Sequence, residues 1–155
     1  FAVHFDGGGA LRLRDPRRLG GVELDPDEDR LGPDAGDVSA VQLRAILADS
    51  NAPLKARLMD QARIAGLGNL LTDETLWRAG FDPARAAGSL TSDDVAKLRK
   101  TMRSTLRVLG RRGGSHMGDL QDSRRRGGIC PDDGAALLRR TIGGRTTYSC
   151  PQHQR

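Results

Sequence analysis

Aromatic residues make up only 3% of this 155-residue chain, with one Trp, one Tyr and three Phe. Any core it forms is therefore aliphatic. Apolar runs are short: none approaches the roughly 20 residues of a membrane-spanning helix, which excludes a helical membrane protein. The first residues, "FAVHFDGGG", lack a basic region followed by an apolar one, so no secretory signal is legible there. They also lack an initiator Met and begin within what reads as a strand, and the expectation is a piece of something longer. Cysteine occurs twice, at Cys130 and Cys150, which excludes a four-thiolate metal site. What remains is a soluble, cytoplasmic globular chain: 37% hydrophobic, 29% charged, and rich enough in glycine (20 residues) to turn often.

Charge is unevenly spread. Residues 1–53 hold 6 Lys/Arg against 10 Asp/Glu, whereas residues 54–155 hold 19 against 10. The second part is the one that attracts a polyanion. Most of its cations are arginine, whose planar fork suits phosphate, although arginine-for-lysine usage on a solvated surface gives the same count. Nucleic acid is the expected partner.

Along the chain, apolar and polar residues alternate at Val3 and Phe5, at Leu11 and Leu13, and at Val22 and Leu24, which predicts short strands joined at glycines. Residues 25–37 are acidic, rich in Pro and Gly and without period, and read as a linker. Helical spacing follows over Val38–Ala48 and Leu54–Ala62, then from near Asn69 to Gly80. The clearest helix carries the stripe Val95, Leu98, Met102, Leu106 and Leu109, capped by Thr91 or Ser92 and ended by Gly110. Its other face presents Lys97, Arg99, Lys100, Arg103 and Arg107. In "AGLGNLL", Gly66, Gly68 and Asn69 precede a helix start, where free N–H groups and a partial positive charge suit a phosphate. Any tight interhelical turn has the same look.

The stretch "LKARLMDQARIAGLGNLLTDETLWRAGFDPAR" (54–85) resembles the helix–two-turns–helix motif of the formamidopyrimidine-DNA glycosylase and endonuclease VIII family. "FDGGGALRLRDPRRLGGVEL" is similar to the last strands of that family's β-sandwich, and "RTTYSCPQHQR" to its zinc-finger hairpin. The resemblance implies an α+β, mainly α fold: a few N-terminal β-strands with a linker (1–37), a helix–two-turns–helix domain (38–112), and a basic loop with a C-terminal β-hairpin zinc finger (113–155). It implies base-excision repair: excision of oxidised bases from double-stranded DNA and strand cleavage at the abasic site, by a monomer without membrane attachment that meets the nucleoid when bound to DNA.

Individual roles follow from the same resemblance. Gly68 and Asn69 would grip phosphates flanking the extruded nucleotide. Lys55 falls where the family has a lysine near the lesion and Asp60 where it has an aspartate; a solvated helix face is the other reading of both. Arg17 and Leu19 match the arginine and wedge that fill the gap left by the base, with Leu19 where phenylalanine is common. Arg145 matches the finger arginine. The family's Cys-x2-Cys-x16-Cys-x2-Cys spacing is kept by Cys130, Asp133, Cys150 and His153, a mixed set whose donor types zinc accepts. A metal-free hairpin and a Cys130–Cys150 disulfide stand beside that reading.

Two departures narrow the expectation. The family's nucleophilic N-terminal proline and its glutamate lie outside this sequence, so the chain by itself is expected to be inactive, and Phe1 is no substitute. The stretch from Gly118 to Cys130 is shorter than the family's lesion-covering loop, which leaves purine and pyrimidine lesions equally open. A stand-alone, non-catalytic zinc-containing DNA-binding module is the alternative function.

Overall fold

Ser39 opens the first helix with a reciprocal cap: its hydroxyl accepts from the Gln42 N–H while the Gln42 side chain accepts from the Ser39 N–H. Helix α1 (Ala40–Leu47) buries Leu43 and Leu47. Helix α2 (Leu54–Leu58) follows, then two tight turns, then α3 (Asn69–Ala79), and the long α4 (Ser92–Arg112). Strands β1 (Ala2–His4) and β2 (Ala10–Arg12) form an N-terminal hairpin, and β3 (Leu138–Ile142) and β4 (Arg145–Ser149) a C-terminal one. The computed structural model describes residues 1–16 and 20–155.

Helix α3 is the central element. Leu71, Thr72, Asp73, Glu74, Thr75, Leu76 and Ala79 are all buried, so it is wrapped on several sides and shows no clean polar face. It ends at Gly80, whose φ of 73° is left-handed and whose N–H returns to the Leu76 and Trp77 carbonyls. Helix α4 packs along it through Val95, Leu98, Met102, Thr105 and Leu109. The core is aliphatic apart from Phe81, as the scarcity of aromatics predicts.

Four local expectations need correction. Residues Val22–Leu24 are irregular and exposed; alternation alone does not make a strand without a partner edge. Helix α2 stops at Leu58 rather than Ala62, because Asp60 turns the chain: its carbonyl accepts from Arg63 and Ile64 and its carboxylate from Ala62. Gly110 does not end α4. The helix passes through it and stops at Gly113, where φ is 103°, since a helical glycine costs only about 1 kcal/mol. The linker is pinned at its end: Gly32 donates to the Gln61 carbonyl, Ala35 to that of Ala65, and Ala65 to that of Pro33. A Cβ on Gly32 would lie 2.3 Å from the Arg63 carbonyl carbon, so only glycine permits this approach.

The two turns between α2 and α3 are held from inside by Gln61. Its amide nitrogen donates to the Met59 (3.1 Å) and Leu67 (3.0 Å) carbonyls, and its oxygen accepts from the Gly66 N–H (3.0 Å). This clamp presents Gly68 as the N-cap of α3, with no side chain covering the cap.

Candidate nucleic-acid interface and metal centre

At the start of α3 the first N–H groups are free of intrahelical partners. Gly68 is exposed and Asn69 half-buried. The Asn69 amide oxygen is buried without a hydrogen-bond partner among the described residues. The free N–H groups are donors that an anionic oxygen can meet, as is the Asn69 amide NH2; the buried Asn69 oxygen is an acceptor and takes no part in holding an anion.

One turn along α3, Asp73 faces Lys55 of α2. The Lys55 ammonium lies 2.8 Å from the Asp73 carboxylate, both side chains being 0% exposed. It also donates to the Thr147 hydroxyl (2.7 Å) and the Thr146 carbonyl (3.2 Å) of β4. Burial pushes its pKa below the ordinary lysine value against the pull of Asp73. Arg124, from the "SRRRGG" stretch, completes the group: it pairs with Asp73 and lies 5.5 Å over the Tyr148 ring. Three segments and the hairpin thus meet on one buried carboxylate.

Arg145 is exposed and begins β4. The turn before it, Gly143 (φ 58°) and Gly144 (φ 71°), is the two-residue turn whose twist suits a hairpin. A Cβ on Gly143 would sit 3.0 Å from that of Ala56, so the hairpin tip rests against α2. Lys55, Asn69 and Arg145 are therefore tied together through Asp73 and Thr146. Lys55 itself is enclosed by protein and does not lie on a solvated helix face. Asp60, 42% exposed at the side chain, pairs with Arg63 at 3.1 Å. Arg17 and Leu19 lie outside the described residues.

Around the hairpin base, donor atoms of Cys130, Asp133, Cys150 and His153 all lie within 4.8 Å of one another. Cys130 Sγ is 3.7 Å from His153 Nδ1, Cys150 Sγ 3.1 Å from an Asp133 oxygen, and His153 Nδ1 2.8 Å from the same carboxylate. Zinc bonds of about 2.0–2.3 Å in tetrahedral arrangement require donors roughly 3.3–3.8 Å apart; the spread here, from 2.8 Å to at most 4.8 Å, brackets that range, so small side-chain shifts would bring these four onto one ion. The cysteines are buried and carry free thiols. Burial, with Asp133 alongside, pushes the Cys150 thiol up to about 11. The His153 hydrogen bond, with those from Ala135 N–H and Cys150, holds the Asp133 carboxyl well below the usual range.

The C-terminal turn of α3 backs this centre. His153 Nε2 lies 3.2 Å from the Trp77 carbonyl, which leaves Nδ1 to face the donors. The Trp77 indole N–H donates to Cys130 Sγ at 3.3 Å. Asp82, just beyond α3, pairs with Arg140 of β3. Partial burial opposes its ionisation, but the Arg140 and Ala84 hydrogen bonds outweigh it and the pKa falls below the ordinary value. Buried Glu74 holds the loop after α4, accepting from Asp119 and Leu120 N–H (both 3.0 Å) and from Arg78 (2.7 Å). One helix thus carries the Asn69 end and the metal-centre end.

Gln61, Asp73, Glu74, Trp77 and Arg124 had no role in the sequence reading. A signal existed for Asp73 and Glu74 only, as adjacent acids inside a helix that must be buried. Among the described residues no helix is long and apolar enough to cross a membrane.

Residues 31–119 match the family model of the formamidopyrimidine-DNA glycosylase H2TH domain. The chain is 34% identical over 175 residues to the formamidopyrimidine-DNA glycosylase of Roseiflexus sp. (strain RS-1), covering 99% of this chain and 64% of that protein. It is 36% identical over 173 residues to that of Laribacter hongkongensis (strain HLHK9), covering 97% and 64%. Among solved structures, the Lactococcus lactis enzyme in complex with abasic-site DNA superposes with a TM-score of 0.72 at 26% identity, covering 83% of this chain and 53% of that one. The complex of a Lactococcus lactis mutant enzyme with Fapy-dG DNA gives the same TM-score and identity. The chain spans 64% of the length of these curated relatives.

Proposed function

This chain belongs to the formamidopyrimidine-DNA glycosylase family through its helix–two-turns–helix domain, and from that premise we propose that it is the DNA-gripping portion of a bifunctional glycosylase and abasic-site lyase. Its partner is damaged double-stranded DNA, bound by a monomer. The observation that carries the reading is the start of α3: free N–H groups, a Gly68 cap that no side chain covers, and beside them the Asn69 side-chain amide, whose NH2 is a donor suited to a phosphate oxygen. Arg145, anchored to the same region through Lys55 and β4, supplies a cation for a neighbouring phosphate. Arg17 and Leu19 are proposed as the groups that fill the gap left by an extruded base. Lys55 acts by holding Arg145 and α3 together.

Cys130, Asp133, Cys150 and His153 would hold one zinc ion, which when bound supplies a cross-link between the 130–133 turn and the end of β4. Trp77 orients His153 and donates to the Cys130 sulfur; removing such supporting groups typically weakens a metal site about 10-fold or more.

The chemistry of such an enzyme needs an amine within bonding distance of the sugar C1′, unprotonated when it attacks, and an acid to assist ring opening. In this chain Lys55 is enclosed and paired, Lys97 and Lys100 lie on the outer face of α4, and the Phe1 ammonium donates to the Leu13 carbonyl at 3.3 Å. Among the described residues Lys55 alone of these amines has a carboxylate partner, and that carboxylate, Asp73, is buried and shared with Arg124. We expect the 155-residue chain to bind abasic-site duplex yet yield no borohydride-trapped covalent adduct, and a version extended upstream to an N-terminal proline to yield one. An adduct on the short chain mapped to Phe1 or Lys55 would overturn this assignment. A failure of the extended version to trap would favour the non-catalytic DNA-binding module.

A further inference from the structure

The face of α4 turned away from the core carries Lys97, Lys100, Arg103, Arg107 and Arg111, all exposed. At 3.6 residues per turn these five fall within one stripe. It lies opposite the buried stripe of Val95, Leu98, Met102 and Leu109. None of the five has an ion-pair partner among the described residues. Lys97 rests over the Phe81 ring at 5.3 Å. One carboxylate, Asp93, shares the stripe at its N-terminal end. Other arginines of this region are engaged: Arg78 with Glu74 and Asp119, Arg85 with Asp94, Arg112 with Asp119, and Arg99 with the Val38 carbonyl. The fold satisfies those cations and leaves this row unneutralised.

Two shallow grooves run along the row. One lies between Arg78 of α3 and Lys97, Lys100, Thr101 and Ser104 of α4; the other is lined by Arg99, Lys100, Arg103, Ser104 and Arg107. Cations interleaved with hydroxyls suit phosphate oxygens, which accept from both. The row spans about 21 Å from Lys97 to Arg111, long enough to follow several phosphates of a duplex. Arg78 stands about 13 Å along α3 from Asn69, so this track is separate from the start of that helix.

We propose that the outer face of α4 is a second nucleic-acid surface, which holds the phosphate backbone of duplex DNA without reading bases. It rests on the DNA-binding reading above and adds a second track to it. The test uses the full chain and an undamaged duplex, with affinity measured across a salt series. The K100Q/R103Q/R107Q variant, checked for unchanged helix content by circular dichroism, should flatten the log K against log salt slope by about 2–3 units. It should keep its preference for an abasic site over undamaged DNA. The R103K/R107K variant should keep the wild-type slope. A triple variant with the wild-type slope overturns the proposal. So does a variant that loses binding to phosphatidylserine vesicles while its DNA binding is unchanged, which would assign the face to a lipid surface. No duplex binding by the wild type at low salt would instead remove the DNA-binding reading itself.

Discussion

Replacing Lys55 by Met should lower stability by about 3 kcal/mol, the low end of what breaking a buried ion pair costs. The cost arises because Asp73 stays buried with half its neutralisation gone; Arg124 still faces it, which keeps the loss from being larger. Loss of the Lys55 bonds to Thr146 and Thr147 should also release β4 from α2. In a chain of this size the destabilisation corresponds to a melting temperature lower by roughly 6–12 °C. Urea unfolding gives the first quantity, and faster amide exchange in β4 the second. A loss below about 1 kcal/mol with unchanged exchange would mean that Lys55 is not the bolt between helices and hairpin. DNA affinity measured well below the melting point separates this positioning role from direct contact: it should fall through a loosened Arg145, and Arg145→Ala in the Lys55→Met background should then add little.

Metal removal is the second large effect expected. Structural zinc in small finger domains contributes on the order of 10 kcal/mol of apparent folding energy, and a set with one carboxylate and one imidazole should contribute less. We expect about one zinc per chain after purification without chelator, and its removal to unfold the region around β3 and β4. The only Trp of the chain reports directly, because the Trp77 indole donates to Cys130; its emission should shift on chelation and return on zinc addition. Asp133→Cys should retain the ion more firmly. Well-folded protein with no zinc by elemental analysis, and an emission unmoved by chelator, would leave a hairpin held by packing and by the Asp82–Arg140 pair.

These two effects differ in how far the sequence announced them. Four potential ligands at finger spacing are visible in a string of letters, because spacing survives without coordinates. Helices α1, α3 and α4 are visible for a similar reason: caps such as Thr91 and stops such as Gly80 are local, and the Val95–Leu109 stripe repeats. Lys55 is different. A lysine on a short helix reads as solvated, and only a carboxylate 18 positions later, brought opposite by two turns, makes its burial tolerable. Arg124 was hidden in a run of three arginines, of which it alone pairs with Asp73. Gln61 acts wholly on backbone groups within six residues, and backbone partners leave no trace in side-chain patterns. Val22 and Leu24 alternate as a strand should, but pairing is non-local and nothing in the alternation supplies the partner.

Wild type and Asn69→Ala, compared on abasic-site and undamaged duplexes of equal length at one salt concentration, decide whether the start of α3 holds the phosphates around an abasic site. Wild type should prefer the abasic duplex, and Asn69→Ala should lose about tenfold on it, close to 1.4 kcal/mol, while changing little on undamaged DNA. Equal affinities of the two proteins for the abasic duplex, with Asn69→Ala still preferring it over undamaged DNA, would mean that the start of α3 does not hold those phosphates.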